Sequence, residues 1–165
     1  MNKKKYLVRQ IVKEDLKQLL ELQRVCYVKN YWEDQSVFEK MLLVFPEGAF
    51  LILDKDKLIG YIFFHPYTFG KIKSLNNSLM LLGDENCLYI HDLCIHPNYR
   101  GLGLTKLFLD LFNQKTHFYK YNYQALVAVQ GSEKFWRKFG FQISKKIKYR
   151  DKDAYYLTKD IKLDL

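Results

Sequence analysis

The stretch Leu88-Tyr89-Ile90-His91-Asp92-Leu93-Cys94-Ile95-His96-Pro97-Asn98-Tyr99-Arg100-Gly101-Leu102-Gly103-Leu104-Thr105 decides the reading of this chain. Cys87 to Ile95 reads as a buried apolar strand. The turn His96-Pro97-Asn98-Tyr99 leads into Arg100 and two glycines. Leu104, Leu107, Phe108, Leu111 and Phe112 then recur on one face of a helix. Gly101 and Gly103 lack Cβ atoms, so backbone there can approach a ligand and adopt unusual φ. The first N–H groups of a helix have no partner inside it. With the helix dipole they attract an anion. Arg100 adds a fixed positive charge suited to phosphate. The turn is not a Walker A loop, since no Gly-Lys-Ser/Thr follows, and it is not the dinucleotide GxGxxG.

Upstream, residues 5 to 10 read as a short strand. Leu16, Leu19, Leu20 and Gln23, with Leu22 and Cys26, lie at roughly helical spacing. Ser36 and Glu39 match a capping box that opens a second helix through Phe38, Met41, Leu42 and Phe45, stopped by Pro46. Ala49 to Leu53 and Leu58 to His65 flank a polar turn and read as an antiparallel hairpin ending at Pro66. Residues 67 to 86 read as a long connection with a strand near Ser78 to Leu82; such connections often shape binding sites. Downstream, Tyr123 to Val129 is an apolar strand. Ser132 to Phe139 is a short helix closed by Gly140 at C′. The stretches 142 to 149 and 153 to 161 are β-like. The order β, α, α, ββ, β, α, β, α, ββ predicts an α/β (α+β) fold, a mixed sheet flanked by helices, with residues 1–165 as one domain.

Composition agrees. A chain of 165 residues matches one domain at ~150 residues each. With 48% hydrophobic and 27% charged residues it is ordinary globular composition, which excludes disorder and fibrous repeats. No apolar run approaches the ~18 residues of a membrane span, so no membrane is expected. Met1 to Arg9 is basic at first and lacks the apolar core and cleavage site of a secretory signal. Cys26, Cys87 and Cys94 are odd in number and show no CxxC spacing. The expectation is therefore no disulfide framework, no Cys-rich zinc site and a reducing cytoplasm. The four histidines show no metal-ligand spacing, so no metal is expected. The formal charge of +9 fits either a polyanionic partner or a Lys-rich surface with one small anionic ligand. Apart from Lys3 to Lys5 and Lys145 to Arg150 the lysines are scattered, and nucleic acid is not the expected partner.

The strand, the His-Pro-x-Tyr-Arg-Gly-x-Gly-Leu turn and the amphipathic helix resemble the GNAT superfamily of acyl-CoA N-acyltransferases, whose signature is R/Q-x-x-G-x-G/A. Arg100, Gly103 and Thr105 occupy that signature, with an extra Gly101. Thr105 replaces the usual Gly/Ala, a bulkier helix entrance whose hydroxyl can reach phosphate. Ser132-Glu133-Lys134-Phe135-Trp136-Arg137-Lys138-Phe139-Gly140-Phe141 resembles the superfamily's late A-x-x-F-Y-x-K-x-G-F helix. The resemblance covers nearly the whole chain. It implies a central, mostly antiparallel splayed sheet.

It also implies transfer of an acetyl group from acetyl-CoA to a primary amine by direct attack. Pantetheine would bind backbone near Leu93, Cys94 and Ile95. Pyrophosphate would sit on N–H groups of Arg100, Gly101, Leu102, Gly103, Leu104 and Thr105. Phe135, Trp136 and Lys138 would wall the arm. Many relatives carry a carboxylate base at the position of His91. Here His91 and Asp92 are both candidates, and both can face the site only if the strand bulges. Trp136 stands where the family's acid, a Tyr, usually stands, and an indole N–H is no acid at neutral pH. Ser132, Tyr149, Tyr155 or water could replace it, or the thiolate leaves unprotonated. Cys94 reads as a small apolar strand residue rather than a covalent nucleophile. The acceptor, a small-molecule amine or a protein amino group, would be framed by Tyr27, Tyr31, Trp32 with Glu33 and Asp34, His65, the 67–86 loop and Tyr149. Homodimers are frequent in the superfamily. The second reading is a non-catalytic CoA-binding regulatory module, and the third a basic nucleic-acid binder.

Overall fold

A computed structural model of the chain describes residues 6–162. The basic run Lys3–Lys5, and with it the first residue of the expected opening strand, lies outside the described residues. Seven strands form one sheet in the order β1-β2-β3-β4-β5-β7-β6. They are β1 (Leu7–Gln10), β2 (Ala49–Asp54), β3 (Lys57–Tyr67), β4 (Cys87–Ile95), β5 (Tyr123–Ala128), β6 (Gln142–Tyr149) and β7 (Lys152–Asp160). Every neighbouring pair is antiparallel except β4 and β5. This is the expected mixed, mostly antiparallel sheet.

Helices cover both faces. The apolar stripes of α1 (Leu16–Cys26) and α2 (Gln35–Val44) bury Leu16, Leu19, Leu22, Val37, Phe38 and Met41 against Leu51, Tyr61, Phe63 and Cys94. On the other face α3 (Leu104–Phe118) sets Leu104, Phe108, Leu109 and Phe112 against Ile62, Phe64, Ile90 and Leu126. Trp136 of α4 (Glu133–Arg137) closes the end of that layer. Two fully buried leucines or phenylalanines on each face contribute several kcal/mol at about 1.5–3 kcal/mol per side chain.

Four local expectations are corrected. Ser36 is not the N-cap of α2; Asp34 is, and Glu39 accepts instead from Gln35 Nε2 at 2.9 Å. β3 does not end at Pro66 but runs to Tyr67, with Pro66 opposite Leu88. Residues 78–82 form no strand; Leu79 alone is buried there, tying the loop to the α1–α2 face. The last helix is shorter than 132–139, and Gly140, at φ +87°, lies beyond C′ and returns its N–H to Arg137 O. A fifth correction concerns cysteine. Cys26 and Cys94 form a disulfide, their Cα atoms 6.3 Å apart. An odd cysteine count leaves room for one pair, and packing of α1 on β4 brings together residues 68 apart in sequence. Cys87 is free and buried.

Candidate active site

The parallel register of β4 and β5 runs from Cys87–Tyr123 to Ile90–Leu126 and stops. β4 continues to Ile95 and β5 to Ala128, so the strands diverge. The gap opens into a cleft of about 660 Å³. The backbone groups of a strand edge without a neighbouring strand are left to side chains or a ligand. Leu93, Cys94 and Ile95 line the cleft. Just past β5, Gln130 ties that strand's end to the end of α1: its Oε1 accepts from Val28 N at 3.0 Å and its Nε2 donates to Cys26 O.

At the mouth, Arg100 Nε donates to Ile95 O at 3.0 Å, which holds the guanidinium beside the strand end. Gly101 and Gly103 have φ of +76° and +75°, and Gly103 is the N-cap of α3. A Cβ on either would meet no heavy atom within 4 Å. Glycine is required there by backbone conformation, and the space beside it is open. Arg100, Gly101, Gly103, Leu104 and Thr105 line the cleft; the Leu102 side chain is not among the lining groups and is exposed. Ser132, Phe135, Trp136 and Lys138 form the opposite wall. A glycine turn at a helix N-terminus, a charged Arg and a long slot between diverging strands have the shape and charge to take a phosphate-bearing, extended ligand.

The strand that carries these groups is bulged. Phe63 pairs with Asp92 and Phe64 with Ile90, leaving His91 as the extra residue. A bulge lets two consecutive side chains emerge on one face. His91 therefore reaches Glu33 and lies beside His65, while Asp92 reaches Tyr27 and Tyr61 on the same face. Tyr27 Oη donates toward Asp92 Oδ1 at 2.7 Å and Leu93 O at 2.8 Å. Tyr61 Oη donates to Asp92 Oδ2 at 2.8 Å. Burial pushes the Asp92 carboxyl up to about 6, and Glu33 adds to it; the tyrosine hydrogen bonds and His91 oppose the rise.

Glu33 is held by Gln23, whose amide clamps its backbone with Nε2 to O at 3.1 Å and N to Oε1 at 2.9 Å. Its carboxylate contacts His91 Nε2 and accepts from Asn76 N. Burial works to raise Glu33, yet His91, the Asn76 N–H and Lys73 together hold it below the usual carboxylate range. His91 Nδ1 has no hydrogen-bond partner among the described residues, and neither has His65 Nε2.

Tyr31 and Tyr149 line the cleft; Tyr149 Oη donates to Lys73 O at 2.8 Å. Three expected acceptor residues do not: Asp34, which is exposed, His65 and Trp32. His65 is 1% exposed, its Nδ1 bonded to Pro66 O, and burial drives its pKa down to about 3. Its place on β3 puts it beneath the surface rather than on the rim. Trp32 Nε1 donates to Tyr27 O at 2.7 Å and its ring lies under Arg24, facing away from the cleft lining. Tyr61 and Lys73, neighbours of the site through Asp92 and Tyr149, carry no signal of it in the sequence. Tyr61 reads as an ordinary core position, and only strand register shows its hydroxyl at Asp92.

The model of the acetyltransferase (GNAT) family matches residues 16–141, most of the chain. The chain belongs to the GNAT acetyltransferase family. Solved structures share the fold at low identity. The loading GNATL domain of CurA from Lyngbya majuscula superposes with TM-score 0.79 at 16% identity, covering 94% of this chain and 98% of its own. Ard1 from Thermoplasma volcanium gives 0.77 at 13%, covering 94% and 97%. Naa50 of Arabidopsis thaliana, in complex with the bisubstrate analogue CoA-Ac-MVNAL, gives 0.70 at 20%, covering 94% and 99%.

Proposed function

We propose that this GNAT-family chain, acting as one domain over residues 1–165, is an N-acetyltransferase. It transfers acetyl from acetyl-CoA to a primary amine by direct attack, without an acyl-enzyme. The observation that carries the reading is the end of β4–β5 pairing at Ile90–Leu126, opposite the Arg100–Thr105 turn. Pantetheine lies along the vacated edge of β4 at Leu93–Ile95. The pyrophosphate rests on the N–H groups of residues 100–105, Leu102 contributing backbone only. Phe135, Trp136 and Lys138 wall the arm.

Direct attack fits the state of Cys94, whose sulfur is bonded to Cys26 and is no nucleophile in this form. The amine enters on the bulged face, where His91 and Asp92 supply proton acceptors and Tyr31 and Tyr149 line the way in. Glu33 and Asp92 suit a cationic nitrogen. The Naa50 analogue couples CoA to a peptide, which makes a peptide amino group one acceptor class for this chain; small amines are the other. No helix among the described residues is long and apolar enough to cross a membrane. A cytoplasmic place would match the proposed donor, an intracellular metabolite.

Calorimetry with acetyl-CoA and thiol release across an amine panel test the proposal together. Arg100→Ala is expected to weaken binding by roughly tenfold, the size of a lost charge-assisted phosphate contact of about 1.5 kcal/mol. Binding without thiol release supports the regulatory-module reading, and absence of binding removes the donor.

A further inference from the structure

Trp136 leaves the family's usual acid position without a proton to give. Of the replacements, Tyr149 has its phenolic proton committed to Lys73 O. Tyr155 packs against the α3-side core and does not line the cleft. The Ser132 hydroxyl is a far weaker acid than a phenol. Tyr27 is different. It is the residue that ends α1, with an extended backbone (φ −122°, ψ 145°) that turns its ring onto β4. Its hydroxyl stands 2.8 Å from Leu93 O, on the strand segment that β5 has left, and 2.7 Å from the Asp92 carboxylate. One phenolic proton faces two acceptors, and both residues line the cleft. Tyr61 Oη grips the other Asp92 oxygen, so the carboxylate keeps one orientation toward Tyr27.

Resting on the transferase reading above, we propose that Tyr27 is the catalytic residue that protonates the departing thiolate, resupplied by Asp92. The amine nitrogen attacks the thioester carbon; the C–N bond forms and the C–S bond breaks, its electron pair going to sulfur. The surplus proton on nitrogen passes to Asp92. Tyr27 gives its phenolic proton to sulfur and takes the one on Asp92. Amide and free thiol result, both side chains return to their starting states, and no outside proton is consumed. The relay needs a carboxylate that is ionised at neutral pH yet readily protonated, and burial brings Asp92 to about 6. The groups facing that carboxylate are Tyr27 from the end of α1, Tyr61 from β3, His91 on its own strand, Glu33 from the α1–α2 loop and Tyr149 from β6.

The test is Tyr27→Phe with two acyl donors. With acetyl-CoA, kcat is expected to fall about 100-fold while Kd stays within about threefold. With S-acetyl-para-nitrothiophenol, whose thiolate needs no acid, the deficit should nearly vanish; a merely structural loss would cut both donors alike. In the unliganded protein, the protonated Asp92 carbonyl infrared band, with Asp92→Asn as blank, should titrate at higher pH in Tyr27→Phe, because a hydrogen bond to the anion is gone. Equal deficits with both donors, or an unmoved titration, overturn the relay. If Tyr27→Phe does not fold, ring-fluorinated tyrosine at position 27 keeps the packing and acidifies the phenol. The alkaline limb of kcat should then move down, and an unmoved limb overturns the proposal. Wild-type protein that binds acetyl-CoA but releases no thiol overturns the transferase reading and the relay with it. Wild-type turnover that Tyr27→Phe leaves intact overturns the relay alone.

Discussion

Asp92 shows how one residue's surroundings set its chemistry. Its carboxyl titrates at about 6 in the folded chain against 3.8 when unperturbed, and burial is the first cause. Between those values the native state holds a proton that the unfolded chain has lost. The associated stability is present below about pH 4 and is lost as pH rises through about 6, about 3 kcal/mol in all at 1.36 kcal/mol per unit. Asparagine has no such proton. The urea unfolding free energy of Asp92→Asn is therefore expected to gain on the wild type by about 2.5 kcal/mol between pH 4 and pH 8. A difference flat across that range would mean that the carboxyl is not perturbed. The sequence named His91 and Asp92 as a pair and noted that only a bulge lets both face one side. It carried no sign that the bulge exists, because a bulge depends on register with β3.

At the scale of elements, the turn from β4 into α3 was legible in full. Local chemistry specifies it: two glycines at positive φ, a preceding strand and an apolar helical stripe. Gly103→Ala is expected to cost about 1 kcal/mol of stability, since alanine resists the left-handed region by roughly 1–2 kcal/mol. It should also weaken acetyl-CoA binding roughly tenfold by displacing the first N–H groups of α3. Thermal unfolding and calorimetry on the same preparation separate the two effects; stability lost with affinity intact would detach this turn from the phosphates. Helix ends were less legible. Asp34 and Ser36 are both good N-cap types, and the choice between them lies in where Glu33 is pinned by Gln23, ten residues away. Lys145 to Arg150 is one of the two basic runs of the sequence. In the β6–β7 hairpin, however, Lys146 and Lys148 share Asp153 across the strands, which cancels part of that charge.

At the scale of the whole molecule, the Cys26–Cys94 bond ties the end of α1 to the cleft strand. It closes a loop of 68 residues, for which chain entropy gives about 4 kcal/mol of stabilisation. Wild-type protein in strong reductant and Cys26→Ser without it should lose about the same stability in urea, a few kcal/mol each. A midpoint that reductant leaves unmoved would show that α1 is held by packing alone.

The sequence by itself determined the order of elements, the mixed sheet with helices on both faces and the glycine turn that leads β4 into α3. These rest on short-range periodicity and on residue types with few conformations, glycine above all. Tertiary structure decided which side chains meet. It buried His65 beneath the rim, turned Trp32 toward Arg24, brought Tyr27 and Tyr61 to Asp92 and joined two cysteines. Each of those contacts joins residues brought together by strand register, by helix packing on the sheet or by a loop's path, and sequence spacing does not encode such distances.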